Sequence, residues 1–157
     1  PRAYTDRGVD GLIFLGQLGK AYIERIQSID IPVVLVDFYD EHNNLDAIIT
    51  DSFFAAYDLT NYLVRLGHRD IAFVGSLYAT SSIQDRFLGY YKSLLEHRLE
   101  LKKEFVVEDR DNHGKPIELV LPKKMPSAFV CNNDEVAYKL NLLLQEKLNK
   151  FLQEDKA

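Results

Sequence analysis

Three apolar runs in this chain end on polar residues able to grip a ligand: Asp37 after Val33-Val34-Leu35-Val36, Asp51 after Ile48-Ile49-Thr50, and Asn132-Asn133-Asp134 after Ala128-Phe129-Val130-Cys131. A fourth group, Ser82 and Arg86, lies one turn apart at the start of an amphipathic stretch. A carboxylate, a guanidinium and an amide converging on one cleft suit a neutral polyhydroxylated ligand, because each can engage two neighbouring hydroxyls at once. Phe38 or Tyr78 could supply an apolar face for a sugar ring. Each residue also has a plainer reading. Strand-terminal aspartates such as Asp37 and Asp51 often cap the next turn, and Asp134, directly before an amphipathic run, reads as a helix N-cap. Arg86 could pair with Asp85 or Glu96, but a cation in the first turns of a helix opposes the dipole, which favours a ligand role. His68 follows Gly67 and reads as part of a helix stop that packs in the turn, while His42, His97 and His113 stand alone in polar surroundings.

Residues so placed need a scaffold of strands whose ends converge. Apolar runs alternate with longer amphipathic stretches, the pattern of a parallel sheet with helical crossovers. Gly11 to Leu15 and Ile31 to Val36 read as buried strands joined by a helix over Lys20 to Ser28, with Tyr22, Ile23 and Ile26 on one face. Ala47 to Thr50 is a further strand. Phe53 to Leu66 reads as a helix, with Phe53, Tyr57, Leu59, Tyr62, Leu63 and Leu66 at mixed three- and four-residue spacing, and Gly67 ends it. Ile71 to Val74 is a strand, and Ser81 with Gln84 is a capping-box signature for a helix from Ser82 to about His97. Phe105 to Val107 and Ala128 to Cys131 are strands, Asp109 to Lys115 is a polar turn region, and Glu135 to about Leu152 is a helix.

Composition narrows the function classes. In 157 residues, 46% apolar side chains suffice for a sizeable core, and the net charge of -5 argues against this segment wrapping nucleic acid. Lys102-Lys103 and Lys123-Lys124 read as solvated loop pairs. No apolar run approaches the roughly 18 residues of a membrane helix, and Pro1 to Asp6 has no signal-peptide core, so no membrane association and a cytoplasmic setting are expected. Cys131, the single cysteine, reads as a small buried hydrophobe. No nucleotide, metal or hydrolase motif is present, so no catalytic residues, metal or cofactor are expected. A receiver domain would need an acidic pair after its first strand, where Leu15-Gly16-Gln17 stands; an α/β enzyme using Asp37 with His68 has no reaction to name.

Four stretches carry a family resemblance: Ile31-Pro32-Val33-Val34-Leu35-Val36-Asp37; Leu66-Gly67-His68-Arg69-Asp70-Ile71-Ala72-Phe73-Val74-Gly75; Arg86-Phe87-Leu88-Gly89-Tyr90; and Pro126-Ser127-Ala128-Phe129-Val130-Cys131-Asn132-Asn133-Asp134-Glu135-Val136-Ala137. In order and spacing the chain from Gly8 to about Glu146 resembles the effector-binding domain of LacI/GalR-type transcriptional regulators, whose fold is shared with periplasmic sugar-binding proteins. The resemblance implies an α/β fold of doubly wound parallel sheets in two subdomains, with residues 1–50 in an incomplete N-terminal one and 51–157 in the C-terminal one. By resemblance, Asp37, Ser82, Arg86 and Asn133 match positions that bind a sugar or nucleobase effector, and Phe38 and Asp51 match positions used in only some members. It implies a homodimer that binds a small-molecule effector, with operator DNA bound only through a helix-turn-helix segment that this chain does not contain. A sugar-binding protein of a transport system is the alternative. The family's first strand and helix, and its later strand ending in Gly-Phe-Asp-Asp or similar, have no counterpart here, so the chain reads as a fragment or as a product needing a partner.

Overall fold

The computed structural model describes residues 8–40, 44–111 and 113–154, and among these six short strands and four helices follow one another along the chain. His42 lies outside them. The chain divides into two compact units, Pro1–Asp51 and Ser52–Ala157. In the first unit β1 (Leu12–Leu15), α1 (Lys20–Ile26) and β2 (Val33–Val36) make one βαβ crossover, and β3 (Asp46–Ile48) adds on the far side of β2. All pairing is parallel, with Leu12 opposite Val33 and Val34 opposite Asp46. Ile23 and Ile26 of α1 are buried with Val33 and Leu35, giving the sheet one covered face. The other face is open. Ile13, Leu15 and Ile48 remain 76, 78 and 66% exposed, so the expectation of fully buried strands fails here: a single crossover supplies a single helical layer.

The second unit orders its strands β5-β4-β6, again all parallel, from β4 (Ile71–Val74), β5 (Val106–Val107) and β6 (Ala128–Cys131). A single 3₁₀ turn, Lys103–Phe105, replaces the start of the expected strand at Phe105. β4 is central and buried throughout. Its side chains alternate, as strand geometry demands: Ile71 and Phe73 pack with Val64, Ile83, Tyr90, Leu94 and Val130, while Val74 packs with Val107, Leu119, Val136 and Leu140. The first cluster is roofed by α2 (Ser52–Arg65) and α3 (Ser81–Glu96), the second by α4 (Asp134–Glu154). Between β5 and β6 no helix forms among the described residues; Leu119 packs on the α4 face instead, and Pro122 is buried as well.

The face that α2 buries is not the one its large apolar residues suggest. Ser52, Ala56, Thr60 and Val64 face inward, whereas Phe54, Leu59, Tyr62 and Leu66 are exposed. The reason is the closeness of α3: a Cβ at Gly89 would stand 2.0 Å from the Phe53 carbonyl oxygen, leaving room only for small side chains. Thr60 fits because its hydroxyl donates to the Ala56 carbonyl at 2.7 Å. The helix ends in a Schellman motif, with Gly67 N–H to Val64 O and His68 N–H to Leu63 O, and Gly67 at φ +97° supplies the left-handed residue. At the end of α3 the same pair of bonds forms around Arg98, at φ 55°. Of the lysine pairs, Lys102 is half-buried and ion-paired with Asp70 rather than solvated.

Candidate functional site

The carboxyl end of β6 and the amino end of α4, with Leu59 of α2 and Arg86 of α3, surround a cleft of about 450 Å³ in the second unit. This is where open parallel sheets place ligands. Arg86, Asn132, Asn133 and Asp134 line its polar side and Leu59, Phe129, Cys131 and Ala137 its apolar side. Two of the expected ligand residues, Arg86 and Asn133, are therefore brought together.

Each is held by its helix end. Arg86 is half-buried on α3, with Nη1 donating to the Ser82 carbonyl at 3.2 Å. Asn133, not Asp134, caps α4: its Oδ1 accepts the Val136 N–H at 2.9 Å, and Asp134 is the first helical residue. Adjacent Asn and Asp are equally competent caps, and the backbone's entry into the helix decides between them. Asp134 and Glu135 instead set negative charge in the first turn, favourable at the positive end of the dipole. At α3 the cap is Thr80, whose Oγ1 accepts from Ile83 N–H at 3.2 Å, so the expected Ser81–Gln84 capping box does not form. Ser82 places its Oγ 3.2 Å from Thr80 Oγ1 and is not among the residues lining the cleft; its contribution is the carbonyl that steadies Arg86.

Asp37, Phe38 and Asp51 belong to the first unit. Asp37 follows β2 with φ 62°, a left-handed conformation that aspartate tolerates better than most residues, and its N–H donates to Ile48 O at 2.9 Å. Its carboxylate is exposed and Phe38 is half-buried. Asp51 is exposed, immediately before α2. Tyr78 does not face the Arg86 cleft: it is 93% exposed and rims a separate apolar hollow of about 380 Å³ with Leu77, Phe87, Leu101 and Val106. His68 packs in its turn as expected, Nδ1 lying 3.0 Å from Ser127 Oγ, which in turn donates to the Asp70 carbonyl.

Under the cleft lies a buried polar network that the sequence reading passed over as a turn. Asp109, 4% exposed, accepts Ser76 N–H on Oδ1 at 2.8 Å, and on Oδ2 accepts Asn132 Nδ2 at 2.9 Å and Arg110 Nη2 at 2.7 Å. Ser76 Oγ donates to Arg110 O and accepts the N–H groups of Asp109 and Arg110. Burial pushes the Asp109 carboxyl up, but the Arg110, Asn132 and Ser76 donors outweigh it and hold the group below its ordinary value. The signal was available: Asp109 closely follows a strand, as Asp37 and Asp51 do. Cys131 is half-exposed in the cleft rather than fully buried, and burial, with the Asp109 charge, pushes its thiol up to about 11. Among the described residues no cluster of three or more His, Cys, Asp or Glu is placed to hold a metal ion, and no helix is long and apolar enough to cross a membrane.

Residues 2–152 match the family of periplasmic binding proteins and the sugar binding domain of the LacI family. The chain is 29% identical over 151 residues to the HTH-type transcriptional repressor PurR of Vibrio campbellii, covering 92% of this chain and 45% of that protein. It is 30% identical over 135 residues to catabolite control protein A of Priestia megaterium, covering 82% of this chain and 41% of the relative. The chain thus spans less than half the length of these curated relatives. Among solved structures, the transcription regulator CcpA of Lactococcus lactis superposes with a TM-score of 0.74 at 24% identity, over 93% of this chain and 55% of the other. A regulatory protein of the LacI family from Chloroflexus aggregans does so with a TM-score of 0.76 at 17% identity, over the same shares. These two likenesses establish the fold.

Proposed function

The chain belongs to the family of periplasmic binding proteins and LacI-family sugar-binding domains, and from that premise we propose that it is effector-binding chain of a transcriptional regulator, taking a small polyhydroxylated ligand, a sugar in the first instance. The observation that carries this reading is the shared cleft of Arg86 and Asn133 at the carboxyl end of β6. A guanidinium offers paired donors, and the Asn133 amide still has its nitrogen to offer while its oxygen caps α4. Asp37 and Phe38, at the end of β2, and Asp51, ahead of α2, are the further effector contacts, and Ser82 acts by steadying Arg86. The first unit is then part of an N-terminal subdomain and the second part of a C-terminal one. The regulator is a cytoplasmic homodimer without catalytic activity, and its operator contact belongs to a segment outside these residues.

Regulation follows from differential binding. The effector must prefer one arrangement of the regulator over another, because a ligand of equal affinity for both shifts neither. The curated relatives described above carry the names of a repressor and a control protein, which supports regulation over transport. The test is a thermal-shift screen of the chain against mono- and disaccharides and nucleobases, since a ligand that binds only the folded state raises its unfolding temperature. A reproducible shift with a sugar is expected. Arg86→Ala should weaken that sugar about 10- to 100-fold, the worth of a charged hydrogen bond. Unchanged affinity in Arg86→Ala would remove Arg86 from the site, and a shift with nucleobases alone would replace the sugar as ligand.

A further inference from the structure

Asn132 is buried to 3% exposure yet contributes to the wall of the cleft that holds Arg86 and Asn133. A side-chain amide has two faces, one that donates and one that accepts, and which of them a ligand meets depends on what holds the other. Here one N–H of the amide is engaged and fixes its orientation: Nδ2 donates to Asp109 Oδ2 at 2.9 Å. Asp109 can do nothing but accept, because its Ser76, Arg110 and Asn132 donors keep it a carboxylate. A flipped Asn132 would set its own oxygen against that carboxylate, acceptor against acceptor, in a buried site where the repulsion is poorly screened. The neighbouring position leaves the amide its room only because it is glycine: a Cβ at Gly75 would stand 3.0 Å from Asn132 Cβ and 3.1 Å from Nδ2. The main chain is pinned as well, Asn132 N–H donating to Val74 O at 2.9 Å. Among the described residues no donor meets Asn132 Oδ1, a buried acceptor that is costly to leave unmatched.

We propose that Asn132 is a specificity-determining residue of the cleft, oriented by Asp109 so that its unmatched carbonyl oxygen accepts from the ligand. The ligand group that meets this oxygen must therefore donate, as a hydroxyl or an N–H does. Asp109 is the positioning residue, acting through Asn132 without touching the ligand. The inference rests on the effector-binding reading above and adds to it the hydrogen-bond polarity of one subsite.

The experiment measures binding of D-glucose, D-galactose, D-ribose and D-fructose, then of each single deoxyfluoro analogue of the tightest binder, to the unmodified chain and to Asn132→Ala. Fluorine keeps the shape of a hydroxyl but cannot donate. One fluorinated position should cost the unmodified chain about tenfold in affinity, roughly one hydrogen bond, and cost Asn132→Ala nothing. In Asp109→Asn the new amide can donate to Asn132 Oδ1 and release the flip, so the same analogue should recover its affinity. Sugar binding with identical fluorination profiles in both chains would overturn the role of Asn132 and leave the effector reading standing. Failure of all four sugars, and of every disaccharide and nucleobase in the screen above, would overturn both. A measurement without ligand guards against a variant that does not fold: in the unmodified chain one of the two Asn132 Nδ2 protons should exchange slowly with solvent, protected by its bond to Asp109. Fast exchange of both would overturn the lock.

Discussion

In the sheet β5-β4-β6 the central strand is shielded on both faces, Ile71 and Phe73 beneath α2 and α3, Val74 beneath α4. In β1-β2-β3 burial alternates along β2 and vanishes along β3, and the only helix of that unit, among the described residues, covers one face. Both sheets are written in similar apolar runs: Leu12-Ile13-Phe14-Leu15 is no less hydrophobic than Ile71-Ala72-Phe73-Val74. An apolar run therefore announces a strand without saying how many layers will cover it. That number is set by the crossovers, which supply the layers.

The sharpest way to break this contrast is to separate the units. Residues 52–157 should unfold cooperatively on heating, whereas 1–51 should show no transition, because its three strands and one short helix bury too little to offset chain entropy; a cooperative transition in 1–51 would refute the contrast. Next comes Phe73→Ala, expected to cost about 3–5 kcal/mol in chemical denaturation, the range for emptying a fully buried ring site. Gly89→Ala should cost about 3 kcal/mol, since the clash is with the Phe53 backbone and not with a side chain that can turn away. A loss below 1 kcal/mol would mean that α2 and α3 can part easily. A smaller effect belongs to Asp109. Its folded-state pKa is depressed, so its stabilisation is present above the unfolded carboxyl value of about 3.9 and is lost as pH falls through the lower folded value. Asp109→Asn should flatten the acid limb of the stability profile, and an unchanged limb would count against the network. Smallest of all, Ile13→Thr on the open face should stay within about 0.5 kcal/mol, the range for surface substitutions.

Much of the architecture was legible because it rests on period and punctuation. The strand at Ile71, the stop at Gly67 and the parallel crossovers follow from apolar runs, glycine and spacing, and the structure repeats them within a residue or two. Features decided by distant approach were not legible. Ala56 and Thr60 look unremarkable in sequence, and they are core only because Gly89 lets α3 come close. The helix caps were missed by one residue at both Thr80 and Asn133, each standing beside an equally good capping residue. At the site, Arg86 and Asn133 were found through their positions, while Asp109 was hidden inside what read as a turn. Its importance comes from three strand ends meeting, which no local pattern records.

Cys131 gives the cleft a further property. The chain's single cysteine lines the cleft, and with its thiol pushed up to about 11 it is almost wholly protonated at neutral pH. Peroxide and disulfide exchange both act on the thiolate, so this thiol should react slowly with either at neutral pH, although it is half-exposed.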